Sequence, residues 1–336
     1  MRFFISILSV ILLSGMLTAQ TTIKFATVAP EGSTWMNVMT EFSKTVSDQT
    51  GGQVKFKLYP GGQSGDELVV LRKIRIGQLH SAGFTGVGLG EILPEVRILD
   101  SPFLFRSYEE VDYITSKLFD YFSEKFEEKG FILLGWAEVG FVYIYTNKPV
   151  YSVQDMNGVK MWMWEGDPIA EATFKSIDIS PIPLSITDVM TSLQTNLING
   201  VYISPLACIA MQWHTKVKYM LDLPLADANG AVLLVKSQFE KMDTRQQEIF
   251  KNLSREYFGK LTQLSRENNV QSLDIIKKAG IQFTQVKDKS EIEKYYQSGQ
   301  AARRALIGKL YDESFLNRVE ADLEQFRRQN AAARGK

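Results

Sequence analysis

The stretch Thr22-Ile-Lys-Phe-Ala-Thr-Val28, followed by Ala29-Pro-Glu-Gly-Ser33 and then by Trp35 to Gln49, decides how the rest of the chain is read. Its first part alternates apolar and polar side chains with period two, which fits a half-buried strand. The loop ends in Ser33, a residue type that accepts a backbone N–H at a helix start. Beyond it Trp35, Met39, Phe42 and Val46 recur at helical spacing. The unit is a strand followed by a helix, and it repeats. Val54 to Tyr59 alternates again, Pro60-Gly61-Gly62 and Gly65 break the pattern, and a helix from about Asp66 to Ile76 closes at Gly77. His80 to Phe84 reads as a short strand, and Gly83, Gly86, Gly88 and Gly90 make the next segment flexible or closely approached by neighbours. Alternating strands and helices predict an α/β sheet.

Further along, Glu109 to Lys129 has a helical pattern, Phe131 to Glu138 an apolar strand, and Gly140 to Thr146 an extended run with a domain crossing near Gly140. Val159 to Trp164 is another strand, and Asp167-Pro168 starts a helix to about Ser176. An extended link at Pro181 and Pro183 leads to a helix over Thr187 to Thr195, and Asn199 to Pro205 forms a strand-loop junction. Ala231 to Lys236 is apolar enough for a strand returning to the first domain. From Asp243 the chain is helical, interrupted by a strand over Gly280 to Val286, with Gly299 and Gly308 as kink positions.

At 336 residues the chain is long enough for about two domains. Lys+Arg and Asp+Glu are equal at 38 each, which argues against nucleic acid, because phosphate recognition needs a basic surplus. The first residues differ in kind. Arg2, an apolar run from Phe3 to Leu17 and small residues at Thr18 and Ala19 read as a secretion signal cleaved after Ala19, with an uncleaved anchor as the alternative. Export predicts a periplasmic location. Cys208 is the one cysteine and sits among Ala207, Ile209 and Ala210, where a buried apolar role is expected. With only His80 and His214 besides, no metal-ligand spacing exists. Gly86-x-Gly88-x-Gly90 lacks the spacing of a dinucleotide loop, and no nucleophile elbow occurs. Glu165 and Asp167 around Gly166 form an acid pair in a turn, better read as solvated than as catalytic. Neither an enzymatic activity nor a cofactor is expected.

The order of motifs resembles a known family. Lys24-Phe-Ala-Thr27 with Trp35, Tyr59-Pro-Gly-Gly62, Gly65-Asp-Glu67, Pro102-Phe-Leu-Phe105, Glu109-Glu-Val111, Asp155-Met-Asn-Gly-Val-Lys160, Pro181-Ile-Pro183, Ser192-Leu-Gln-Thr195 and Asn199-Gly200 follow one another as in the DctP family. These are the extracytoplasmic solute-binding proteins of tripartite ATP-independent periplasmic (TRAP) transporters. The resemblance implies a two-domain periplasmic-binding-protein fold with hinge strands and a long C-terminal helix. It divides the chain into residues 20–139 plus about 228–267, and 140–227 plus about 268–336. It also implies a ligand held in the interdomain cleft and passed to small and large membrane permease subunits. In some branches of the family a tetratricopeptide-repeat protein is a further partner. A non-transport sensor or scaffold on the same fold is the alternative function.

Departures from the family carry the ligand argument. Relatives that bind carboxylates have an arginine where Lys160-Met-Trp-Met-Trp164 places Trp162, many have a second where Val142 follows Gly140-Phe141, and an asparagine is replaced near Ser204. A carboxylate buried without a guanidinium fork is costly. Occluding about 100 Å² of indole contributes on the order of 2.5 kcal/mol at ~25 cal/mol per Å². The expected ligand is therefore apolar or planar, with a quaternary ammonium as a second class through cation–π attraction. Trp162 and Trp164, two apart on a strand, share a face. By position in the resemblance, Val28, Phe84, Thr85, Phe141, Ile186, Tyr202 and Trp213 complete the expected lining.

Overall fold

A computed structural model describes residues 20–334, so the proposed secretion signal lies outside the described residues. Two mixed sheets organise the chain. In the first, β1 (Thr21–Thr27) pairs in parallel with β2 (Val54–Tyr59) and β3 (Ser81–Thr85), as two strand-helix-strand units require. The helix Thr34–Gln49 between β1 and β2 starts at Ser33, whose side chain accepts the Met36 N–H, and it buries Met39, Phe42 and Val46. β4 (Phe131–Trp136) forms the far edge of this sheet.

β5 (Gly140–Thr146) leaves for the second sheet. β6 (Trp162–Trp164) and β7 (Ile182–Leu184) pair as a separate parallel ribbon, and β8 (Gly200–Ile203) lies against β5. β9 (Tyr219–Leu221) and β10 (Ala226–Ala228) also pair with β5. The chain then returns: β11 (Gly230–Val235) inserts antiparallel between β3 and β4. β12 (Gln282–Thr284) completes the second sheet beside β9. The first sheet thus runs β2-β1-β3-β11-β4 and the second β10-β5-β9-β12. The links from β4 to β5 and from β10 to β11 cross directly between the sheets, the helical segment from β11 to β12 crosses a third time, and below "lobe" means a sheet with the helices packed on it.

The helix Thr244–Lys278, 35 residues long, packs on both lobes, touching Thr34–Gln49 and β4 at one end and the helix Pro205–Ala210 at the other. Phe258 on it packs against Phe42 with the rings tilted, their centroids 5.1 Å apart. Asp243 and Gln246 form a capping box at its start. None of the helices among the described residues is long and apolar enough to cross a membrane.

Several local expectations change. The helical pattern from Glu109 to Lys129 is two helices, Tyr108–Lys117 and Phe119–Glu128, broken at Leu118. The strand expected from Val159 narrows to β6, because only there does β7 supply a continuous partner. After β8 a helix forms, Pro205–Ala210, started by proline at its first position. The C-terminal helical stretch divides into Lys289–Ala305 and Glu313–Arg334 around Gly308 at φ +78°. Gly299 is no kink; it lies inside the first of these helices, where an added Cβ would come within 2.7 Å of the Phe103 ring. The grouping of residues 268–336 with the second lobe also fails in its last part. Leu306, Phe315, Leu316, Val319 and Leu323 are buried with Phe122 and Phe126 of the first lobe.

Candidate functional site: a cavity between the lobes

A cavity of about 190 Å³ lies between the two lobes. The carboxyl ends of the parallel strands β1 and β3 deliver Thr27, Val28, Gly83 and Thr85 to its wall, the position where open α/β sheets bind ligands. From the other lobe come Val142, Trp162, Trp164, Ile186, Tyr202 and Ser204. Of the residues expected to contact a ligand, Val28, Thr85, Val142, Trp162, Trp164, Ile186, Tyr202 and Ser204 line this cavity.

Phe84, Phe141 and Trp213 do not line it. Phe84 and Phe141 point into the core of the first lobe, Phe141 against Tyr108 with centroids 4.8 Å apart. Alternation explains Phe141: on β5 its neighbour Val142 takes the cavity side. Trp213 stands behind Trp162, edge-on at 5.3 Å. Only 1% of Trp162 is exposed, and its ring stacks on Tyr202 at 5.0 Å while its indole N–H donates to the Leu184 carbonyl at 3.0 Å. Trp162 is as much a core residue of the second lobe as a cavity wall. Ser204 is the N-cap of Pro205–Ala210.

Two polar contacts tie the lobes together across the cavity. Asp66 precedes the helix Glu67–Arg75 in the first lobe, yet its side chain does not cap that helix. It accepts instead from three donors of the second lobe: Trp164 Nε1–H at 3.1 Å, Ser185 Oγ–H at 2.5 Å and the Ile186 N–H at 3.1 Å. The second tie is Arg97, whose Nε donates to Asp100 and whose Nη2 donates to Asp167, each at 2.9 Å. Asp167 belongs to the other lobe and caps the helix Pro168–Lys175, so the turn acid is structural. Burial opposes the Arg97 charge, but Asp167 and Asp100 outweigh it and raise its pKa.

The glycines of the helix Gly86–Gly90 make room for this cluster. A Cβ on Gly86 would lie 1.7 Å from Asp100 Oδ2, one on Gly88 2.8 Å from Glu67 Oε2, and one on Gly90 2.8 Å from Arg97. The glycine-rich segment is closely approached. Glu67 accepts from the Thr85 and Gly88 N–H groups, each at 2.8 Å, and burial lifts its carboxyl to about 7. Burial likewise lifts Asp100 to about 6, against the pull of Arg97. Asp227, on β10 between the crossings, is fully buried on the cavity wall, and burial pushes its carboxyl well above the usual range.

Sequence reasoning missed Arg97, Asp100 and Asp227, and took Glu67 only as part of a motif. The signal existed: in Pro94-Glu-Val-Arg-Ile-Leu-Asp100 opposite charges three apart interrupt an apolar run.

The family profile of bacterial extracellular solute-binding proteins, family 7 (DctP), matches residues 25–306. The chain belongs to this family. The receptor is 28% identical over 242 residues to a solute-binding protein of Verminephrobacter eiseniae, covering 71% of each chain. Its fold superposes on a TRAP periplasmic solute-binding protein of Desulfovibrio salexigens with bound orotic acid, at a TM-score of 0.84 and 19% identity, covering 91% of the receptor and 99% of that chain. A sugar acid binding protein of Advenella mimigardefordensis in complex with galactonate gives a TM-score of 0.85 at 18% identity, with the same coverage. The receptor is thus a bacterial extracellular solute-binding protein of family 7, and its fold is that of the TRAP periplasmic solute-binding proteins.

Proposed function

We propose that the lobes close on a solute with an apolar or planar body, and that Val28, Thr85, Val142, Trp162, Trp164, Ile186, Tyr202 and Ser204 contact it. The observation that carries this reading is the state of Arg97. It is the only Lys, Arg or His among the described residues lining the cavity, and Asp100 and Asp167 already hold it. A ligand carboxylate would have to compete with two buried carboxylates for one guanidinium, in a wall that also carries Glu67 and Asp227. The acids bound by the two solved relatives belong to proteins under 20% identical, which share the fold.

Release to small and large permease subunits would follow opening of the lobes at the chain crossings between them. A tetratricopeptide-repeat partner would call for exposed aromatic surface; among the described residues the large apolar side chains most exposed are Ile76, Tyr151, Leu197, Val270 and Ile275, of which Tyr151 alone is aromatic.

Mass spectrometry of small molecules released from the natively purified receptor tests the reading. A neutral or cationic compound with an apolar body is expected, and a stoichiometric sugar acid or dicarboxylate would overturn it.

A further inference from the structure

Most polar groups on the cavity wall already have partners. Glu67 is held by Thr85 and Gly88, Asp100 by Arg97 and the Asn229 N–H, and Asp167 by Arg97 and the Ile169 N–H. Of the hydroxyls, Thr85 donates to Glu67 and Thr173 to the Ile169 carbonyl. Thr27, Ser33, Thr34 and Ser204 each accept one N–H through a hydroxyl whose own hydrogen rotates to suit its surroundings. Tyr202 is different. Its phenol oxygen accepts the Trp164 N–H at 3.2 Å, and its own hydrogen has no acceptor among the described residues. The ring is fixed, stacked on Trp162 at 5.0 Å and 5.8 Å from Phe174, and a phenolic hydrogen stays near the ring plane, so this donor has a set direction. Trp162, Trp164 and Phe174 around it are buried, whereas Tyr202 lines the cavity with part of its surface exposed. A phenol in such a place usually finds a partner for its hydrogen.

We infer that Tyr202 donates its phenolic hydrogen to the carbonyl oxygen of an uncharged ligand, a ketone, ester or amide carried on an apolar or planar body. This inference rests on the apolar reading of the cavity and narrows it to a class with a neutral acceptor. The phenol end lies close enough to Asp167 and Arg97 to feel both charges. Burial and then Asp167 oppose its ionisation, so Tyr202 remains a donor throughout the physiological range. An anionic acceptor at the same point would meet Asp167 and Asp100 with Arg97 already paired to both. A carbonyl brings no charge to desolvate and no hydrogen of its own to place, and the one bond it needs is the one Tyr202 offers. A site built around a single donor of this kind discriminates by the acceptor it is given, while the apolar wall supplies the bulk of the affinity.

The test uses the full receptor with three probes of similar size: propiophenone, propylbenzene and 3-phenylpropionate. Calorimetry gives the affinities, and difference infrared spectroscopy with propiophenone isotope-labelled at the carbonyl carbon gives the carbonyl stretch of the bound ketone. The stretch should lie at lower wavenumber than in an alkane solvent. Tyr202→Phe keeps the ring and removes the hydroxyl; it should weaken the ketone by about fivefold or more, leave propylbenzene within about twofold, and return the stretch to its alkane position. Should that variant not fold, the stretch in the unaltered receptor decides. An alkane-like stretch in the unaltered receptor, or an equal loss for ketone and hydrocarbon in Tyr202→Phe, overturns the role of Tyr202 and leaves the apolar reading standing. Tightest binding by phenylpropionate, or no binding by any probe, overturns both.

Discussion

Asp66→Ala should open the receptor. In the closed arrangement the Asp66 carboxylate accepts from Trp164, Ser185 and Ile186, all of the opposite lobe. Removing it leaves the Trp164 indole N–H and the Ile186 N–H buried without an acceptor, at a cost of about 1–3 kcal/mol each. With the lobes apart, water satisfies the same donors, so this cost falls on the closed state alone. The sum is on the order of 3 kcal/mol, which shifts the closed-to-open ratio by more than a hundredfold. Cysteines introduced at Ile76 and Leu197, both exposed and on different lobes, accept a donor–acceptor dye pair, while the buried Cys208 stays unlabelled. Single-molecule energy transfer should show the Asp66→Ala population moving to longer distance. Helix content by circular dichroism should hold, because Asp66 does not cap Glu67–Arg75 through its side chain. A distance distribution unchanged from the parent protein would refute the view that Asp66 is a latch.

Trp162→Ala should cost about 3–5 kcal/mol of stability in denaturant titration, since the ring is buried between Tyr202 and Trp213; a loss under about 1 kcal/mol would make it a wall residue only. Gly86→Ala should separate Asp100 from Arg97, because its Cβ would overlap Asp100 Oδ2, and thermal melting should fall by several degrees; an unchanged melt would show that the cluster can shift. Stability should also depend on pH through Glu67. Its carboxyl titrates at about 7 when folded against an ordinary 4.5, so the folded chain holds the proton longer than the unfolded one. The contribution is full below about 4.5 and is lost as pH rises through about 7, a decline of ~3 kcal/mol that Glu67→Gln should flatten. Urea midpoints from pH 4.5 to 8 measure it, and a parent profile that rises across that window would contradict the assignment.

Local pattern determined a good deal. Period-two alternation over Thr22–Val28, Val54–Tyr59 and Gly140–Thr146, and helical spacing from Trp35, required strands and helices there, because each depends on neighbours a few residues away. The order of short motifs was enough to point to the family, and the tryptophans at 162 and 164 to the cavity wall. What local pattern could not carry was the direction of buried side chains and the pairing of distant charges. Phe141 and Val142 are adjacent and both apolar, yet only Val142 reaches the cavity, a choice made by how β5 sits between β8 and β10. Arg97 meets Asp167, and Asp66 meets Trp164 and Ser185, only because two lobes bring residues far apart in sequence within hydrogen-bond range. An absent arginine at 162 was visible in the sequence; that Arg97 lines the cavity from the opposite lobe, already neutralised by Asp100 and Asp167, was decided by tertiary contact, since charge compensation depends on distances in space and not on spacing along the chain.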